Sequence, residues 1–195
     1  MDVFIDVSQA VLKTERLLLR AWREGDLEDF FAYASVEGVG EAAGWPHHET
    51  KETTGKILHG FISEKNVFAV VYRENGRVIG SLGLHRSWAN DDARYKDLRT
   101  KEIGYVLSKA YWGKGMMPEA MRAAMEFCFD RCGIEALTCG HFEANRRSRR
   151  VIEKCGFSFA KTGAYYSKQL LKSFAVRNYI LLRQKGAPGK AHEQK

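Results

Sequence analysis

Residues 108–127 read SKAYWGKGMMPEAMRAAMEF. Gly113 and Gly115 flank Lys114, Pro118 follows, and an apolar pattern then begins. Ala120, Met121, Ala124, Phe127 and Cys128 recur at intervals of three and four, which predicts a helix with one face on a sheet. A proline suits a first helical position, where its missing N–H would be unpaired anyway, so the helix is expected to start at Pro118. Glu119 then complements the helix dipole, and Gly133 stops the helix. A strand, KEIGYVLS (101–108), precedes the glycine turn, and another, ALTCGHF (136–142), follows the helix. Strand, turn, helix and strand make one crossover and point to an α/β domain.

The flanks extend this pattern. RLLLRAW predicts a strand with Leu17 and Leu19 on one face and Leu18 and Arg20 on the other. Asp26 can cap a helix carrying Leu27, Phe30, Phe31 and Ala34 at helical spacing. VEGVGEAAGWPHHET is irregular, and a second helix is expected from about Lys51 to Glu64, with Ile57, Leu58, Phe61 and Ile62 inward. VFAVVYRENGRVIGSLGLHR holds two β-rich runs around Asn75-Gly76, a hairpin signal. After ALTCGHF, Asn145 caps a helix bearing Ser148, Val151, Ile152 and Cys155, which Gly156 ends. The rest reads as strands closing with RNYILLR. Residues 1–185 are expected to form one domain, and 186–195 a basic tail.

Composition narrows the classes. Thirty-one Lys and Arg against 24 Asp and Glu give a net charge of +7. This favours an anionic partner such as a phosphorylated cofactor or nucleic acid. Part of it belongs to the C-terminal RQKGAPGKAHEQK. The start of the chain has acids where a secretory signal has bases, and apolar runs such as VFAVV are too short to span a bilayer. Cys128, Cys132, Cys139 and Cys155 form no C-x-x-C pair, and no histidines stand at zinc spacing. They read as reduced thiols of a cytoplasmic protein without a metal site.

WGKGMMPEA has the parts of a phosphate cradle. Helix N-termini leave N–H groups unpaired and carry partial positive charge, and glycines let backbone approach an anion closely. Gly113, Lys114, Gly115, Met116 and Met117 are the candidate contacts. A plain β-to-α corner is the alternative. The dinucleotide motif would need glycine at Pro118, and a Walker loop is absent.

EIGYVLSKAYWGKGMMPEA followed by NRRSRRVIEKCGF resembles the GNAT superfamily of acetyl-coenzyme A-dependent N-acetyltransferases. More narrowly it resembles the RimJ/RimL-type branch, which carries RLxLR near the start, EIGY, WGKG with EA after it, and N-x-x-S before a CGF ending. The resemblance runs from about Leu12 to Arg183. It implies a mixed, mostly antiparallel sheet with helices on both faces. The family's fourth strand (KEIGYVLS here) bulges and splays from the fifth (ALTCGHF). It also implies pantetheine in that wedge near Val106, Leu107 and Ser108, and pyrophosphate on Gly113–Met117. Met117 departs from the Gly or Ala of the superfamily pattern.

Acetyl transfer to an amine needs a proton acceptor for the amine and a donor for the departing thiolate. Glu102, opening its strand, is the first candidate base, since some superfamily members carry a glutamate there. A structural carboxylate oriented by a neighbouring basic residue is the other reading, and His141, Glu143 or a water chain are alternatives. Ser148 matches the branch's serine, which faces the coenzyme sulfur. Tyr165, Tyr166 and Tyr179 compete for that role, and a hydroxyl bonded to its own helix is the plainer reading. Asn145 can cap its helix and meet a pantetheine amide. In the basic run, Arg146 and Arg150 share a helix face, and Arg150 is expected to reach a coenzyme phosphate. Trp45, His47 and Trp88 are expected to shape the acceptor pocket, with Glu37, Glu41 and Glu49 drawing in a cationic amine. The expected partner is an amine on a small molecule, peptide or protein N-terminus, and the chain a monomer or homodimer. A basic nucleic-acid-binding module and a coenzyme-binding homologue without catalysis are the alternatives. The first has no recognised reading motif in its favour.

Overall fold

A computed structural model of the protein describes residues 1–184, so the expected basic tail lies outside the described residues. Eight strands form one sheet in the order β1-β2-β3-β4-β5-β6-β8-β7. They are β1 (Leu12–Lys13), β2 (Leu17–Ala21), β3 (Val67–Tyr72), β4 (Val78–His85), β5 (Thr100–Leu107), β6 (Ala136–Phe142), β7 (Ser158–Ser167) and β8 (Lys172–Leu182). The helices are α1 (Leu27–Ala34), α2 (Lys51–Glu64), α3 (Met116–Glu126) and α4 (Arg146–Lys154). Among the strands of the described residues β5 and β6 are the one parallel pair, and α3 crosses between them.

Strand alternation divides the interior into two cores. Leu17, Leu19, Phe68, Val70, Leu82 and Ile103 pack with α3, beneath α4. Val67, Ala69 and Val71 point the other way and pack with Phe30, Tyr33 and Leu58 of α1 and α2. The Asn75-Gly76 signal becomes the β3–β4 hairpin, with Gly76 at φ 72°. α2 has the expected bounds because Thr50 caps it, its hydroxyl accepting from Thr53 N–H at 3.2 Å.

Two local expectations change. α3 begins at Met116, two residues before Pro118, with Gly115 as its cap at φ 76°. Proline is tolerated throughout a first helical turn, because those N–H groups have no intrahelical partner. Asp26 does not cap α1. Its carboxylate takes a two-pronged contact from Arg20, at 2.7 and 2.8 Å, and the Arg23 N–H at 2.9 Å. That ties β2 to the start of α1.

The feature that positions the site is where pairing stops. β5 meets β6 only at Thr100–Ala136, Lys101–Leu137 and Glu102–Thr138. β5 continues beside β4 to Leu107, and β6 continues beside β8 to Phe142. The two strands therefore diverge beyond Glu102, which opens the sheet from one core to the other. The bulge expected in β5 is absent from its ladder with β4, whose register is unbroken. Register shifts occur instead at Val70/Val71 and Phe159/Lys161.

Candidate active site

A cleft of about 1610 Å³ passes through the opening between β5 and β6. On the α3/α4 face, Gly113 (φ 77°) and Gly115 (φ 76°) both adopt the left-handed conformation that side chains disfavour. A Cβ at Gly113 would meet nothing within 4 Å, so conformation rather than crowding calls for glycine there. The N–H groups of Gly113, Lys114 and Gly115 find no backbone acceptor among the described residues.

The turn is clamped from beneath. Arg16 of the RLxLR stretch reaches Glu119 Oε2 through Nη2 at 2.6 Å and through Nε at 2.7 Å, and donates from Nη1 to the Lys114 carbonyl at 3.0 Å. Glu119 Oε1 takes the Thr14 hydroxyl at 2.6 Å and the Arg16 N–H at 2.9 Å. Burial works to raise the Glu119 pKa, but these donors outweigh it and hold the carboxyl below its ordinary range. A group so depressed stabilises the fold above its unfolded pKa and loses that contribution as pH falls through the folded value. We therefore expect Arg16→Ala to cost about 1–2 kcal/mol, because it leaves Glu119 short of donors in a half-exposed pair. Chemical denaturation checks this. A midpoint unchanged from wild type at neutral pH would contradict it.

The arginine cluster is arranged differently from the expected pairing. Arg147, Arg150, Val151 and Lys154 line the cleft, so the face is set by spacings of three and four counted from Arg147. Arg146 is not among the lining residues. Arg147 lies 4.3 Å from the Trp112 ring centroid, a cation–π contact that the sequence did not reveal. Trp112 in turn donates its indole N–H to the Leu107 carbonyl at 2.8 Å. Lys114, expected at the cradle, does not line the cleft and lies 5.4 Å over the Tyr111 ring.

The backbone of β5 offers fewer open groups than expected. Ser108 N–H already donates to the Ile79 carbonyl at 2.7 Å, and Ser108 does not line the cleft. Strand alternation turns the backbone of Val106 toward β4 as well. The groups facing the opening belong to Tyr105 and to the Leu107 N–H.

Ser148 does not bond its own helix through its hydroxyl. Its Oγ lies 2.7 Å from the Tyr105 hydroxyl, which is also 3.2 Å from the Ser148 carbonyl. Burial pushes the Tyr105 pKa well above its ordinary value, and the Cys139 sulfur adds to this. The phenol therefore stays protonated and able to relay a proton. Asn145 caps α4, its Oδ1 accepting from Ser148 N–H at 3.1 Å, while its Nδ2 donates to the Ala42 carbonyl at 3.2 Å.

Glu102 sits on the opposite face, half-buried at the last β5–β6 pair. Its Oε2 accepts from Thr138 Oγ1 at 3.3 Å, and Thr138 Oγ1 is 2.8 Å from Ser87 Oγ. Burial raises its pKa, and hydrogen bonds from Thr138 and the Trp88 backbone N–H oppose this. The partner is thus a hydroxyl rather than the basic residue of the structural alternative. His141 is buried yet lines the cleft, and both of its ring nitrogens are engaged. Nδ1 lies 2.8 Å from the Phe142 carbonyl, which can only accept, so Nε2 is left to accept from the Tyr179 hydroxyl at 3.3 Å. Glu143 is largely exposed, its nearest cation Arg177 at 3.5 Å. Of the competing tyrosines, Tyr165 lines the cleft, Tyr179 bonds His141 and Tyr166 is exposed.

Residues 16–158 match the model of the acetyltransferase (GNAT) domain. The chain belongs to the GNAT acetyltransferase family. It is an acyltransferase by that membership. Among curated relatives it is 27% identical over 152 residues to the uncharacterized N-acetyltransferase YoaA of Bacillus subtilis, covering 75% of this chain and 82% of the relative. The fold resembles the GNAT-family acetyltransferase of Bacillus anthracis (TM-score 0.76, 22% identity, 88% of this chain and 98% of that one). It also resembles the spermidine N-acetyltransferase of Vibrio cholerae, solved with CoA and spermine (TM-score 0.69, 16% identity, 87% and 96%).

In this GNAT chain the other half of the cleft lies on the α1/α2 face and includes Trp45, His47 and Trp88. The loop after α1 is fastened across it. Ser167 Oγ donates to the Gly44 carbonyl at 2.7 Å, and a Cβ on Gly44 would come within 3.0 Å of Tyr165 and 3.1 Å of Phe142. Trp88 is covered by Lys161, 4.1 Å from its ring centroid. Of the three acids expected to draw in an amine, Glu49 lines the cleft. Glu41 is occupied within the loop, receiving His47 N–H at 3.0 Å, His47 Nδ1 at 2.8 Å and Gly38 N–H at 2.6 Å.

Burial would raise the Glu41 pKa, yet those bonds bring it down to about 2. The His47 pKa is raised by its bond to Glu41, with further help from the charges of Glu41, Glu37 and Glu49. The raised histidine contributes below its unfolded value of about 6.5 and loses that contribution as pH rises through its folded pKa. The depressed acid contributes above about 4.5 and is lost only near pH 2. The loop fastening should therefore be complete between about pH 4.5 and 6.5 and weaken above it. Nuclear magnetic resonance titration is expected to find His47 above its ordinary pKa and Glu41→Gln to bring it down, with Glu37 and Glu49 still acting on it. A wild-type value at or below the ordinary one would refute the pairing.

Among the described residues no helix is long and apolar enough to cross a membrane. The four cysteines are free, and only Cys132 is part-exposed.

Proposed function

We propose that the protein moves an acetyl group from acetyl-coenzyme A to a primary amine, on a protein N-terminus, a peptide or a small molecule. It works in the RimJ/RimL manner, in the reducing cytoplasm. One observation carries this reading: the opening between β5 and β6 joins a cationic, amide-lined half to an anionic, aromatic half.

On the first half, the N–H groups of the Gly113–Met117 turn would hold the pyrophosphate, with Arg147, Arg150 and Lys154 supplying charge. Tyr105 and Leu107 backbone would pair with the pantetheine arm, taking the place expected of Val106 and Ser108. When bound, the coenzyme supplies an activated acetyl carbonyl in the opening. Ser148, hydrogen-bonded to Tyr105, lies on this face to protonate the departing sulfur. On the second half, Glu102 is the anion that meets the acceptor ammonium, and Trp45, His47 and Trp88 bound the space it occupies. Holding both partners in one opening supplies the orientation that a two-substrate transfer requires.

The test is release of free thiol from acetyl-coenzyme A in the presence of spermidine, lysine, and tetrapeptides beginning with Ser or Ala. Turnover with at least one is expected, with the acetylated amine seen by mass spectrometry. Calorimetry without a coenzyme signal, or coenzyme binding without transfer to any of them, would refute the reading.

A further inference from the structure

His85 ends β4 and stands directly opposite Glu102 in the antiparallel ladder. The next pair on the same face is Gly83 with Gly104. A Cβ at Gly83 would fall 2.3 Å from His85 Nε2, and one at Gly104 3.3 Å from it. The imidazole therefore lies across this glycine pair, in the volume that two side chains would otherwise fill. Facing glycines weaken a strand pair and mark a close approach; here they make room for one ring. The ring also extends from the Glu102 position toward the stretch of β5 that has left β6, which is where an amine must meet the acetyl carbonyl. It lines the cleft. Nδ1 of His47 and Nδ1 of His48 are held by Glu41 and Thr54, and both ring nitrogens of His141 by the Phe142 carbonyl and the Tyr179 hydroxyl. Those of His85 have no such partner among the described residues.

Resting on the acetyl-transfer reading above, we propose that His85 takes the proton of the acceptor ammonium, with Glu102 drawing the ammonium in and balancing the imidazolium that forms. The ammonium N–H bond breaks as a ring nitrogen gains the proton. The freed lone pair forms the C–N bond to the acetyl carbon. As the C–S bond breaks, the nitrogen sheds its second proton to cleft water and the sulfur takes a proton from Ser148, which the shed proton restores by way of water and Tyr105. The imidazolium returns its proton to cleft water, so the products are the amide and the free thiol. Other charges near the ring come from Lys101 of β5, tied to Asp2 at 2.9 Å, and Glu64 of α2. His85 is exposed at the strand end, but the packing of its ring over the glycine pair removes water from it, and this together with Lys101 holds its pKa below the ordinary value, with Glu64 opposing them. The ring is then neutral near pH 7, as an acceptor must be.

The experiment measures kcat/KM against pH for wild type, His85→Ala, His85→Gln and Glu102→Gln, with spermidine and a Ser-initiated tetrapeptide as probes. Both His85 variants are expected to lose about 10²–10⁴-fold in kcat/KM for the amine, with an unchanged KM for acetyl-coenzyme A. The acid limb of the profile disappears with them. Added 4-methylimidazole restores His85→Ala at least about tenfold, because the alanine vacates the slot over the glycine pair. Glu102→Gln keeps the acid limb but moves it to lower pH, since the carboxylate opposite His85 in the ladder has gone. An acid limb that persists in His85→Ala, or rates within about threefold of wild type in both His85 variants, overturns the assignment. So does an acid limb abolished by Glu102→Gln alone. Wild type turning over while His85→Ala matches it removes this proposal only. Wild type that binds coenzyme but acetylates neither probe nor any other amine tested removes the acetyl-transfer reading as well.

Discussion

Ser148→Ala is expected to lower kcat for acetyl transfer by about 10²–10⁴-fold while coenzyme affinity stays within about twofold. The serine hydroxyl is placed by two independent constraints. Asn145 fixes the first turn of α4 by accepting from Ser148 N–H, and the Tyr105 hydroxyl holds Oγ at 2.7 Å. Nothing in the half proposed to hold the phosphates is hydrogen-bonded to that oxygen, so its loss should leave binding intact and remove only the proton that the departing sulfur needs. Tyr105→Phe keeps the ring on the α3/α4 face and removes the second hydroxyl. If the two hydroxyls act as a unit, the double variant will be no slower than the slower single one, as residues of one relay are not additive. Losses that multiply would show that they act separately. A Ser148→Ala enzyme within about threefold of wild type would discard the donor role.

That pair also shows where sequence patterns stop being informative. Alternation in KEIGYVLS places Tyr105 with Ile103 and Leu107, so it reads as a core aromatic. Its role appears only when α4 sets Ser148 against it, a contact between residues 43 positions apart. His85 is silent for a similar reason. It ends one arm of a hairpin that the Asn75-Gly76 turn announces clearly, but its position opposite Glu102 depends on the register of β4 against β5. His141 is legible only in part, since it lines the cleft as well as the core. In ALTCGHF it alternates with Leu137 and Cys139, both fully interior, and the structure buries it with them. The arginines show the sensitivity of helix faces to one residue. Counting from Arg146 pairs it with Arg150, whereas Trp112 selects Arg147 by offering it an aromatic face. The fold itself was far more legible, because strands, the hairpin turn and the crossover are written locally. The opening of the sheet is not local: it is the point at which one pair of strands ceases to share hydrogen bonds.

Gly113→Ala combined with Gly115→Ala is expected to weaken coenzyme binding by about 30- to 1000-fold, or to lower stability by the equivalent free energy. Each alanine would have to hold a φ near +76°, at 77° and 76° respectively. A left-handed conformation costs a non-glycine residue about 1–2 kcal/mol, so two sites carry about 2–4 kcal/mol. Crowding adds nothing, since Gly113 faces open space and the nearest atom to a Cβ at Gly115 is Arg16 Nη2 at 3.6 Å. The strain can go only two ways. If the turn keeps its shape, held by Arg16 on the Lys114 carbonyl and on Glu119, the whole cost falls on folding and the melting temperature drops. If the turn relaxes to negative φ, stability is spared, but the N–H groups swing away from the pyrophosphate and affinity falls instead. The sum of the two losses is therefore the conserved quantity, and it is measurable by denaturation and calorimetry on the same variant. Adding Arg16→Ala should shift the loss from stability toward affinity by releasing the clamp. A double glycine variant unchanged in both measurements would mean that the turn does not require left-handed backbone, and the cradle assigned to WGKGM would have to be abandoned.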